Sequence, residues 1–205
     1  MRALLNDIFQ RVLTSNKWEQ RRNLALNLNA LPLKPGSRCL DFGCGTALFA
    51  PVFLKSNMRY YGYDIDDHLL RYAARIYGKA QFTSSLDELK ATAPFDLILA
   101  NCCFHHIESD ILYTGLGKLK TMLAYDGTFI MIDILLPRDD PHWLRNQFRK
   151  LEKGAFIRSC DDYEALVKSH FYILQSKTER SHLFSLNKSP IYNDLRVLIC
   201  RKNTK

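Results

Sequence analysis

The stretch Asp41-Phe42-Gly43-Cys44-Gly45-Thr46-Ala47 decides how the rest of the chain is read. It grows out of a short apolar run, Arg38-Cys39-Leu40-Asp41, that reads as a strand, and it leads into Ala47 to Leu54, whose spacing predicts a helix. Two glycines at alternate positions let the backbone turn sharply and approach a ligand closely. A helix opening at about Ala47 would present free amides beside them. Nineteen residues beyond Gly45, Asp64 closes a second strand-like run, Tyr60-Tyr61-Gly62-Tyr63. A carboxylate there can accept both hydroxyls of a ribose, so loop and acid together describe a nucleoside site.

Working outward, a helix is expected at about His68 to Tyr77, a short strand at Gln81-Phe82-Thr83 and a strand at Phe95 to Ala100. A helix from about Asp110 to Leu123, a Tyr125-Asp126-Gly127 turn and a strand at Thr128 to Ile134 follow. Beyond them come a helix at about Asp161 to Ser169 and two strand-like runs, Phe171 to Gln175 and Leu195 to Arg201. Before the loop, apolar residues from Leu4 to Leu13 recur at helical spacing, and a second amphipathic stretch runs from about Trp18 to Leu31 until Pro32 and Pro35 stop it. Alternating helices and nearly continuous apolar strands predict an α/β fold: a doubly wound, mostly parallel seven-stranded sheet with helices on both faces and a C-terminal antiparallel hairpin.

At 205 residues with 47% apolar content, the chain can bury one substantial core, which favours a single domain over residues 1–205. Within it we expect an N-terminal helical cap at 1–33, a ligand-binding core at 34–136, a substrate-covering insertion at 137–160, and a helix with the last strands at 161–205. No apolar run reaches membrane-spanning length. Asn6 and Asp7 interrupt the stretch where a signal peptide needs an apolar segment, and the six cysteines lack paired zinc-site spacing. Both points favour a cytoplasmic protein with reduced thiols, and no Asp, Glu and His cluster has metal-ligand spacing. A net charge of +8 would strengthen encounters with anions such as nucleic acid or carboxylated metabolites, or simply keep the surface soluble.

The loop is not a dinucleotide fingerprint, because Leu48 stands three residues after Gly45 and Asp41 lies two before Gly43, where a carboxylate would repel a pyrophosphate. That acid suits a ligand bearing an ammonium group. Asp41-x-Gly43-x-Gly45 resembles the first motif of the class I S-adenosylmethionine-dependent methyltransferases. The similarity extends through Tyr63-Asp64-Ile65-Asp66, Phe95 to Asn101, His105-His106-Ile107 and Leu123-Ala124-Tyr125-Asp126-Gly127. It implies a Rossmann-like methyltransferase fold with S-adenosyl-L-methionine as cofactor, bordered by Asp41, Gly43, Cys44 and Gly45. In that frame Asp64 holds the ribose hydroxyls and Ile65 packs on the adenine. Asn101 lies near the transferring methyl. Two departures stand out: Ala47 replaces a usual glycine, and Ser84 and Ser85 stand where the family often has an acid, so a hydroxyl or backbone would meet the adenine amino group.

Methyl transfer is an in-line displacement in which the protein aligns the partners and excludes water. Where the acceptor loses a proton, His105 or His106 could take it; the alternative is a histidine that packs or caps backbone. Asn101-Cys102-Cys103-Phe104 lacks the prolines of the amino-group methyltransferase signature it faintly resembles. By the same resemblance, the insertion and the N-terminal helices cover the substrate. Trp143 would line it, and Arg22 or Arg158 would hold a substrate carboxylate, against the plainer reading of surface salt bridges. The expected activity is methylation of a small organic metabolite, acidic where an arginine holds its carboxylate. An RNA or tRNA methyltransferase and a catalytically silent, cofactor-binding regulator are the rivals.

Overall fold

Seven strands form one sheet in the order β3-β2-β1-β4-β5-β7-β6, which is the expected doubly wound fold class. They are β1 (Arg38–Phe42), β2 (Arg59–Tyr63), β3 (Gln81–Thr83), β4 (Phe95–Asn101), β5 (Leu123–Ile134), β6 (Phe171–Leu186) and β7 (Ser189–Lys202). The first five run parallel, and β7 lies antiparallel to both β5 and β6. This computed structural model describes residues 28, 31–136, 156–186 and 189–203. The first expected helix, the second apart from Leu28 and Leu31, Arg22, Trp143 and residues 137–155 of the expected insertion lie outside the described residues.

Among the described residues five α-helices cover the sheet: α1 (Ala50–Lys55), α2 (Asp67–Ile76), α3 (Leu86–Thr92), α4 (Ser109–Met122) and α5 (Cys160–Lys168). Because side chains alternate along a strand, each strand feeds two cores. Cys39, Leu97, Leu99 and Ile130 pack on one face with Ala50 and Phe53 of α1 and Ala73 of α2. Leu40, Ile98, Phe129 and Met131 pack on the other with Leu89 of α3, Leu116 and Leu119 of α4 and Tyr163 and Val167 of α5. Each of the five helices carries a basic residue in its last turn: Lys55, Arg75, Lys90, Lys120 and Lys168. All but α1 carry an acid in the first turn, so side-chain charge complements the helix dipoles.

Three local expectations are corrected. The helix foreseen from Ala47 starts at Ala50, since Ala47 itself is left-handed with φ of 58° and the chain turns until Phe49. Helix α3 went unforeseen although Ser85 caps it, accepting from Glu88 N at 3.3 Å, in a Ser-x-x-Glu pattern that marks helix starts. The C-terminal hairpin is far longer than its apolar runs. Pairing of β5 with β7 ends at Ile134↔Leu195, yet β6 and β7 continue together to Leu186↔Ser189, past the carboxyl ends of the parallel strands. Arg180 and Asp194 pair there at 3.3 Å, and the sequence of the extension mixes polar and apolar residues, so it lacks the continuous apolar run that marks the buried strands.

Candidate functional site

Strand order reverses at β1, which has β2 on one side and β4 on the other, and open α/β sheets bind ligands in the crevice beyond the carboxyl ends of strands at such a point. The glycine loop leaves β1 at this point. Gly43 adopts φ of 75° and Gly45 φ of 52°, the left-handed region that glycine enters without steric cost. A Cβ on Gly43 would stand 2.5 Å from Cys103 Cβ, so the loop presses against the turn that follows β4.

The loop's amides turn inward. Gly43 N and Cys44 N both donate to Tyr63 O, at 2.8 and 2.9 Å, Ala47 N donates to Cys44 O at 2.8 Å, and Gly45 N donates to Asp64 Oδ2 at 2.8 Å. The expectation of free amides at this loop is thus corrected for these four. A loop that engages its own amides has none of them left for a phosphate, which fits a nucleoside ligand without a pyrophosphate and argues against a dinucleotide.

Asp64 ends β2's excursion half-buried. Its other oxygen accepts from Asp66 N at 3.0 Å, and a carboxylate with one bond on each oxygen retains lone pairs for further donors. Ile65 beside it is 85% exposed, an apolar side chain presented to solvent beyond the carboxyl end of β2. An acceptor-only group for hydroxyls next to an apolar platform suits the ribose and adenine of an adenosyl ligand.

Asp41 and Cys44 are placed otherwise than expected. Asp41 is 2% exposed and accepts from Tyr60 Oη at 2.6 Å, beneath the loop instead of facing a ligand ammonium. Burial pushes its carboxyl up to about 7, opposed by the Tyr60 hydrogen bond and reinforced by the Asp64 charge. Burial likewise drives the Cys44 thiol above its ordinary range, and its sulfur lies where a Cβ on Gly62 would be 2.8 Å away. Cys44 is packing. Ser85 is engaged as the cap of α3, while Ser84 is exposed. Asn101 closes β4, half-buried at the same edge of the sheet.

Beyond β4, Cys102 turns the chain with φ of 50°, and Phe104–His106 form one turn of 3₁₀ helix. His105 is 1% exposed, with Nδ1 at 2.5 Å from Asp133 Oδ1. His106 is exposed, its ring 4.0 Å from that of His105. The two candidates therefore separate into an enclosed, paired ring and a surface ring.

Arg158 is neither a substrate arm nor a surface salt bridge. It is 6% exposed, and its Nη1 donates to Phe104 O at 2.9 Å and Phe156 O at 3.0 Å. Nη2 donates to Ile107 O at 2.7 Å and Ser109 Oγ at 3.1 Å. With both terminal nitrogens engaged, no bidentate edge remains for a carboxylate, and the guanidinium clamps the turn that carries the histidines.

Two residues of this region escaped sequence reasoning. Tyr60 looked like one of three strand tyrosines. Asp133 had a signal that went unread, an acid inside the apolar strand Phe129-Ile130-Met131-Ile132-Asp133-Ile134, where charges are rarely buried without a partner. Among the described residues there is no metal-binding group of His, Cys, Asp and Glu, and no helix is long and apolar enough to cross a membrane.

The chain is 26% identical over 108 residues to an uncharacterized methyltransferase of Anoxybacillus flavithermus, a match covering 52% of this chain and 51% of the relative; the matched part thus spans about half the relative's length. Among solved structures it resembles the magnesium protoporphyrin IX methyltransferase of Synechocystis with bound S-adenosylhomocysteine, at TM-score 0.68 and 16% identity over 95% of this chain and 87% of that one. It also resembles a cyclopropane synthase of Mycobacterium tuberculosis, at TM-score 0.62 and 17% identity over 78% and 63%. At these identities the likeness is one of fold. Residues 16–176 match the methyltransferase domain family, and with the strand order and the glycine loop in place the chain belongs to that family, among the class I S-adenosylmethionine-dependent methyltransferases.

Proposed function

We propose that this protein transfers a methyl group from S-adenosylmethionine to a small organic acceptor. One observation carries the reading: a glycine loop whose amides are engaged within the protein stands beside a half-buried Asp64 with lone pairs to give and an 85% exposed Ile65. That donor set fits an adenosyl ligand without phosphate. Asp64 would take the ribose hydroxyls, Ile65 would cover the adenine, and the Gly43–Gly45 backbone would flank the amino-acid part. When bound, the cofactor supplies a methyl on positively charged sulfur, open to in-line attack.

The rest falls to the chain itself. Asn101 and the turn after β4 border the crevice on the acceptor side, Gly43 sets how closely that turn approaches the loop, and Arg158 holds the turn's carbonyls. With Arg158 enclosed, it does not supply the acceptor's anchor. Calorimetric titration with S-adenosylhomocysteine tests the cofactor assignment. Asp64→Asn keeps an oxygen for Gly45 N but gives up the bond from Asp66 N together with charge and acceptor capacity, and should weaken binding about tenfold, or about 1.4 kcal/mol, while the protein stays folded. Binding equal to wild type would remove Asp64 from the ribose role. Methyl-labelled cofactor incubated with separated small-molecule and RNA fractions of a cell extract tests the acceptor class, and label in the RNA fraction alone would overturn the small-molecule reading.

A further inference from the structure

Charge is unevenly placed along the strands. From Leu31 to Leu86 the only acids are Asp41, Asp64, Asp66 and Asp67, and each stands at or beyond the carboxyl end of β1 or β2. At the opposite edge Lys34 lies before β1, Lys55 closes α1, Arg59 opens β2 and Lys79 precedes β3, all four exposed. Gly36 N donates to Asn57 O at 2.8 Å, which ties the turn of Lys34 to the turn between Lys55 and Arg59. Tyr61 and Gln81 are in register, and Arg59 and Lys79 stand two residues ahead of them. Among the described residues no salt bridge engages any of the four. Lys55 answers the dipole of α1. Lys34, Arg59 and Lys79 end no helix, so no helix dipole offsets them, and an anion from outside relieves their mutual repulsion.

The same edge continues across the sheet with aromatic rings. Asp96, near the start of β4, is occupied by Arg38 N at 2.7 Å. Tyr125 near the start of β5 is 79% exposed, and Tyr172 at the start of β6 is 64% exposed. Between those strands β7 ends at this edge with Arg201, in register with Tyr172, and Lys202. Arg201 Nη1 donates to Asp126 O and Lys202 Nζ to Leu123 O, bonds to neutral carbonyls that leave both charges in place; the exposed Asp126 is the acid of this end. Seven strands about 4.8 Å apart make the edge about 29 Å long. A strip of that length, cations first and rings after, fits a linear polyanion whose phosphates meet the cations and whose bases stack on the rings. The two most exposed large apolar side chains of the edge are flat tyrosines, not the aliphatic groups that enter lipid, which favours bases over a bilayer.

We propose that the amino edge of the sheet is a docking strip for single-stranded nucleic acid, with phosphates on Lys34, Lys55, Arg59 and Lys79 and bases stacked on Tyr125 and Tyr172. The glycine loop and Asp64 stand at the opposite ends of the strands, so the strip anchors a strand without offering it to the methyl group. The inference stands apart from the methyl-transfer reading, and its failure leaves cofactor binding untouched.

Fluorescence anisotropy with a fluorescein-labelled oligouridylate tests this on the full chain. Wild type should bind with a Kd of about 10 μM at physiological salt, and saturating S-adenosylhomocysteine should leave that Kd unchanged. Arg59→Glu combined with Lys79→Glu should weaken binding at least about tenfold and make the log–log salt slope shallower by about 1.4, the share of two phosphate contacts on a single strand. Lys34→Glu with Lys55→Glu, on a separate turn, should do the same and serves should the first pair unfold. Tyr125→Ala with Tyr172→Ala should weaken oligouridylate about tenfold at an unchanged salt slope, while heparin, which has no bases, binds as to wild type. Absence of binding, wild-type affinity in both charge-reversed pairs, an unchanged Kd in the tyrosine variant, or competition with S-adenosylhomocysteine would each overturn the inference. Capture by phosphatidylserine vesicles with oligouridylate ignored would also overturn it and give the edge to a membrane.

Discussion

The loop after β1 and the turn after β4 touch, and both bend the chain through left-handed residues, yet they are held by opposite means. Gly43 to Ala47 is secured largely by main-chain bonds, two amides on Tyr63 O and one on Cys44 O, with a single side chain, Asp64, taking Gly45 N. Cys102 to Ile107 is secured by side chains that arrive from far along the sequence, Asp133 on β5 and Arg158 ahead of α5. A backbone-held loop needs glycines and little else. A side-chain-held turn needs two distant charged residues to be buried correctly.

The largest test of that contrast is Gly43→Val. The new Cβ would sit 2.5 Å from Cys103 Cβ at a φ of 75° that a β-branched residue avoids, so loop and turn must part. S-adenosylhomocysteine binding should fall below detection in calorimetry. Retained binding would show that the loop can shift without loss.

Asp41→Asn follows, through pH. The folded chain keeps the Asp41 proton up to about 7, while the unfolded chain releases it in the ordinary carboxylate range. This group's contribution to stability is therefore complete below about pH 4 and is lost as pH rises through about 7, a swing of up to about 4 kcal/mol. Denaturant midpoints of Asp41→Asn should decline less than wild type over that window, and parallel declines would contradict the burial assigned to Asp41.

Arg158→Met should cost about 2 kcal/mol, because it strands the buried carbonyl of Phe104 and removes the part-buried bonds to Ile107 O and Phe156 O. Thermal unfolding reads this, and an unchanged midpoint would mean water replaces the clamp. The smallest change is Ser85→Ala, which removes the cap of α3 and should lower stability by about 1 kcal/mol with S-adenosylhomocysteine affinity unchanged. A loss of affinity there would return Ser85 to the cofactor.

The same contrast explains what the sequence made legible. The fold and the glycine loop were readable because their signals are local: strand-length apolar runs, alternate glycines, and an acid at the end of the next strand. Asp41 and Arg158 were misread since a motif gives the position of a charged residue but not the direction of its side chain. Asp41 turns under the loop to Tyr60, on the neighbouring strand, and Arg158 turns back to carbonyls about fifty residues earlier in the chain. The hairpin extension was invisible for another reason. Its sequence, Ser181 to Leu186 and Ser189 to Asn193, mixes polar and apolar residues without the continuous apolar run of the buried strands.

The ordered charges of the helices reach beyond helix stability. In every described α-helix the basic last turn lies toward the amino ends of the parallel strands, and in four of them the acidic first turn lies toward the ligand crevice. Carboxylates there stand against the positive starts of the helices, and cations stand against the negative ends at the opposite edge. Four helix starts thus meet an incoming anion with a carboxylate instead of an open dipole, which disfavours phosphate-rich molecules at the crevice edge of the sheet.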